Sequence, residues 1–78
     1  MITRFLRYSL EREVKICVVL MSNGAMKKTN LRVTAIDDDG AGFLALLPGR
    51  KNPIHFFNHD VLTATYARGD KGELESYE

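Results

Sequence analysis

The sequence predicts a mainly β fold: one short N-terminal helix followed by a five-stranded antiparallel sheet closed into a small barrel. Three observations carry that prediction. Short apolar runs alternate with polar residues from Val14 onward, which is the period of half-buried strands. Turn signals recur at close intervals, at Asn23-Gly24, Asp39-Gly40, Pro48-Gly49 and Asn58-His59-Asp60. No segment between them is long enough for a crossover helix, so successive strands are expected to meander and to close on themselves, which removes exposed edges. The domain is expected to span residues 1–69, with 70–78 a frayed acidic tail.

The elements follow in order. Thr3 to Arg12 has helical spacing: Ile2, Phe5, Leu6 and Leu10 fall on one face, and Arg4, Arg7, Glu11 and Arg12 largely opposite. Thr3 is placed to cap its start. Three turns are marginal alone, so this helix is expected to plug one open end of the barrel. Val14 to Met21 reads as the first strand, with Val14, Ile16, Val18 and Leu20 on the core face. Asn23 and Gly24 both tolerate positive φ, as a tight hairpin turn demands. Ala25 to Ile36 is the partner strand, with Leu31, Val33 and Ala35 inward. Gly42 to Leu47 is apolar on both faces, so it is expected to be covered twice or to lie at a subunit interface. Ile54 to Phe57 and Val61 to Tyr66 complete the set, joined by a turn or a single helical turn.

Composition narrows the function classes. A chain of 78 residues forms one domain with a thin core. No apolar run approaches the length of a membrane span, and the charged first residues do not form the apolar centre of a signal peptide. Cys17 is the single cysteine and has no intrachain disulfide partner. These features favour a reducing cytoplasm. The net charge is +1, but residues 1–35 carry +5 and residues 36–78 carry −4. A global pull on nucleic acid is therefore absent, while a local basic face remains available.

From Glu13 to Ala67 the chain resembles the Sm-like barrel of WYL domains, the ligand-sensing modules of bacterial regulators. Gly42-Phe43-Leu44-Ala45-Leu46 stands where those domains place the aromatic strand that names them, although the Trp-Tyr-Leu triplet is Gly42-Phe43-Leu44 here. His55-Phe56-Phe57-Asn58-His59-Asp60-Val61 is similar to their later strand and turn, with Phe57 and Asp60 in the region where the family carries arginines. Ala67-Arg68-Gly69-Asp70 resembles the Arg-Gly-Asp or Arg-Gly-Asn loop of Sm rings. The resemblance implies an Sm-like or SH3-like barrel and a nucleotide- or nucleic-acid-binding role.

Two candidate surfaces result. Arg50, Lys51, Arg68, Lys27 and Lys28, with Arg32, are the residues for a phosphate-binding patch, and Phe56, Phe57 or Tyr66 for base stacking. Phe43, Leu44, Leu46 and Leu47 are the candidate interface of a homodimer. His55, His59, Asp60 and Cys17 are metal-ligand types, but they span a strand and a turn without a Cys-x-x-Cys, so no metal is expected. Asp37 to Asp39 lack the alternate spacing and distal glutamate of a calcium loop. Catalysis needs a nucleophile and base in a dry pocket, and none is evident. The sequence thus reads as a non-catalytic binding module without cofactor. Its partner is single-stranded RNA or DNA or a nucleotide, or alternatively a second copy of itself.

Overall fold

The computed structural model describes residues 2–69, without the side chain of Ile2. The expected tail, 70–78, lies outside the described residues. The order is α1 (Ile2–Arg12), β1 (Ile16–Ser22), β2 (Ala25–Ile36), β3 (Gly42–Leu46), β4 (Ile54–Phe57), a 3-10 turn (Asn58–Asp60) and β5 (Val61–Tyr66). The fold is mainly β with one short helix, as the sequence predicts. Helix α1 already includes Ile2, so Thr3 lies inside it and not at its cap.

All pairings are antiparallel, in the order β4-β3-β2-β1-β5. The expected closure is not made: β4 and β5 are the two edges. The reason is local. A 3-10 turn joins β4 to β5 in place of a hairpin loop, β4 is four residues long, and β5 pairs with β1 along its length.

The β1–β2 hairpin turns on Asn23 and Gly24, with φ of 52° and 78°, so Ser22 faces Ala25. Both central residues are left-handed, the type I′ geometry that matches strand twist. The first part of β2, Ala25 to Leu31, pairs with β1, and the last part, Arg32 to Ile36, with β3. A bulge at Thr34 separates Val33 opposite Ala45 from Ala35 opposite Leu44. An extra residue reverses the alternation. Ile36, not Ala35, therefore shares the inner side with Val33, opposite the buried Phe43. A second irregularity leaves Leu62 between Val61 and Thr63, and Leu62 is exposed.

The core is Leu6, Tyr8, Ile16, Val18, Leu20, Leu31, Val33, Phe43, Ala45 and Val61. Helix α1 covers the end of the sheet where β1 starts and β5 finishes. Phe5 and Tyr8 meet the Tyr66 ring edge-on, at 5.0 and 5.2 Å between centroids. Arg4 donates to the Tyr66 hydroxyl at 3.1 Å.

Ser9 is fully buried and joins three elements. Its hydroxyl donates to the Val14 carbonyl at 2.6 Å and accepts from the Val33 N–H at 2.8 Å. Its carbonyl accepts from the Val14 N–H at 3.2 Å, which closes the helix through Glu13 at φ 56°. Val33 lies just past Leu31, the last β2 residue paired with β1, so the serine hydroxyl supplies the partner that β1 no longer offers. Ser9→Ala leaves a buried N–H without an acceptor and is expected to lower stability by about 1–3 kcal/mol. Urea denaturation measures the loss.

Candidate functional site

Opposite the end that α1 covers, the sheet bends around a groove of about 240 Å³. One wall is the β1–β2 hairpin, with Leu20, Met21, Ser22, Lys27 and Thr29. The other is Leu47, Ile54 and Phe56 from the ends of β3 and β4, with Asp60 at the 3-10 turn. The groove exists because β4 and β5 do not pair, which leaves the ends of β3 and β4 apart from the β1–β2 hairpin.

Strand geometry sets each side chain. Lys27 lies opposite Leu20, which is buried, so it stands on the inner side of the sheet and lines the groove. Phe56 faces Phe43 across β3 and β4, and their rings stack at 5.6 Å and 27°. Phe43 is fully buried, so the Phe56 ring is braced from behind where it lines the groove.

The predicted basic residues do not form one patch. Lys28 follows Lys27 in a strand, so it points to the outer face, opposite Val19. Arg32 is also on the outer face, opposite Leu46. Arg50 and Lys51 are exposed on the loop that leaves from Leu47 and returns at Ile54, both groove residues. Within this loop the Arg50 N–H donates to the Leu47 carbonyl at 3.1 Å. Arg68 lies beyond β5, past Tyr66, which is opposite Ile16. Ile16 and Leu20 are four residues apart on β1, or about 13 Å at strand rise, so Arg68 sits at the other end of the sheet from Lys27. Asp70 of the Arg-Gly-Asp string lies outside the described residues. The structure thus gathers Lys27 with the root of the Arg50–Lys51 loop and separates Lys28, Arg32 and Arg68 from them.

The candidate interface residues divide in the same way. Phe43 is in the core, 0% exposed, so it leaves the outward surface. Leu47 packs against the core and lines the groove. Leu44 and Leu46 are half-buried on the outer face, opposite His55 and Arg32.

Sequence reading missed a second cluster on that outer face. His55 Nε2 and Asp37 Oδ2 are 2.7 Å apart, and the pair lies directly over Gly42. A β-carbon there would come within 2.7 Å of the carboxylate and 2.8 Å of the ring. The Phe57 ring, 49% exposed, meets His55 edge-on at 4.9 Å and stacks on His59 at 5.4 Å. Asn58 donates through its side chain to Gly40 and through its backbone to Ala41, both at 2.9 Å. These contacts clamp the β2–β3 turn to the end of β4. Cys17 is three strands away from His55, about 14 Å along the sheet, so no cysteine–histidine pair forms. Among the described residues no group of three His, Cys, Asp or Glu side chains is placed to hold a metal ion. Among them, too, no helix is long and apolar enough to cross a membrane.

Comparison with protein families, curated proteins and solved structures finds no match to this chain.

The clamp generates a prediction. Gly42→Ala is expected to cost about 1–3 kcal/mol through overpacking. In a His55→Ala background that cost should fall by at least half, because one of the two colliding side chains is gone. Thermal or chemical denaturation of the unaltered chain and the three variants in the cycle measures the coupling.

Proposed function

We propose that this chain is a small non-catalytic module that binds a single strand of RNA or DNA, or a nucleotide, in the groove beside the β1–β2 hairpin. The observation that carries this reading is the groove's composition. A braced aromatic, Phe56, and apolar residues Leu20, Leu47 and Ile54 lie beside Lys27, at the root of the loop that holds Arg50 and Lys51. An aromatic platform with cations at its rim suits stacked bases and their phosphates. The balanced net charge fits a local contact and not a broad electrostatic footprint. The WYL-like and Sm-like features of the sequence support the same class. A single half-exposed cysteine fits a cytoplasmic setting.

Fluorescence anisotropy with a labelled oligouridylate or oligothymidylate at two salt concentrations tests the reading. Lys27→Ala and the double change Arg50→Ala/Lys51→Ala are each expected to weaken binding roughly tenfold, the loss of about 1.4 kcal/mol. Each should also flatten the salt dependence. Arg68→Ala, at the far end of the sheet, is expected to leave affinity unchanged. Absence of binding at low salt overturns the proposal.

A second reading is assembly with another copy of the chain. Leu44 and Leu46 on the outer face favour it, together with the exposed Met21, Met26, Phe57 and Leu62. If that face is an interface, light scattering gives a dimer that Leu44→Glu converts to a folded monomer. A monomer at high concentration removes this reading.

A further inference from the structure

Among the described residues that line the groove, Asp60 is the one carboxylate and Lys27 the one cation. The Asp60 side chain is 45% exposed, and its Oδ1 lies 3.6 Å from the His59 Nε2. Lys27 and Asp60 make no ion pair with one another among the described residues. A carboxylate only accepts hydrogen bonds. It repels phosphate, so an anionic ligand must place its phosphate toward Lys27 and present donors toward Asp60.

The four bases differ in what they offer such a group. Guanine carries two adjacent donors, N1–H and the N2 amino group, spaced to meet both carboxylate oxygens. Adenine and cytosine each place one amino donor beside a ring nitrogen whose lone pair faces the carboxylate. Uracil has one donor between two carbonyl acceptors. The groove, at about 240 Å³, falls below the range of pockets for drug-sized ligands, which fits one planar base and not two. The Phe56 ring, fixed on Phe43, gives that base a surface that needs no reordering.

We propose that the groove is a single-base reader for guanine, in a single strand or a nucleotide. The base lies on Phe56, its Watson–Crick edge meets Asp60, and its phosphate lies toward Lys27. This inference rests on the nucleic-acid reading above and adds base identity and a role for Asp60. Nothing in that reading requires a base preference.

Anisotropy of the full chain with three labelled hexamers tests it: oligouridylate carrying one central guanosine, adenosine or inosine. The guanosine hexamer is expected to bind at least about fivefold more tightly than the adenosine hexamer, the lower end of bidentate discrimination. Inosine lacks the N2 amino group and should lose most of that preference, with no change to the protein. Asp60→Asn puts a donor where one acceptor stood and should erase the preference, so that the guanosine and adenosine hexamers bind alike. Equal affinity for guanosine and inosine hexamers, or a preference that survives Asp60→Asn, overturns the guanine assignment while the nucleic-acid reading stands. Failure of every hexamer to bind at low salt overturns both.

Discussion

The hydroxyl of Ser9 is the joint on which the rest of this structure depends. It sits where β2 leaves β1 and has begun to pair with β3, a point at which an ordinary sheet would leave a backbone N–H facing an absent neighbour. By accepting from Val33 and donating to Val14, it fixes the helix, the link into β1 and the middle of β2 in one arrangement. A buried polar side chain in so thin a core is tolerated because both bonds of its hydroxyl are made. The aromatic contacts of Phe5 and Tyr8 with Tyr66 then hold the helix across the same end of the sheet.

Fixing the helix at one end determines what the other end can be. The hairpin end of β2 is mostly exposed, and the 3-10 turn stands between β4 and β5, the two edges of the sheet. The seam between them becomes a groove whose back wall is core. The clamp of His55 and Asn58 on the β2–β3 turn holds the position of β4, and hence of Phe56, against the hairpin. Fold and candidate site are therefore two outcomes of the same bends.

What could be read from the sequence was what local chemistry decides. Asn23-Gly24 declared its turn because both residues accept positive φ, and β2, β4 and β5 were bounded by clear turn residues. The bulge at Thr34 was hidden because Ala35 continues an apolar alternation that the backbone breaks. Ser9 was hidden because a serine in an amphipathic helix looks like a surface residue until its partner, 24 positions away, is known. Asp37 and His55 are 18 residues apart and meet only through strand pairing. The opposed faces of Lys27 and Lys28 follow from strand period alone. The groove does not, since it depends on where three separate chain segments come to rest.

The Phe43–Phe56 stack has one more consequence. One ring of the pair belongs to the core and the other to the groove, so whatever presses on the exposed ring presses on the interior. In a larger protein a recognition surface can drift in sequence while the interior stays constant. Here the two are one object, and selection on either acts on both. A chain with so little interior cannot keep separate accounts of stability and recognition, and an occupant of the groove would register as a more tightly folded protein.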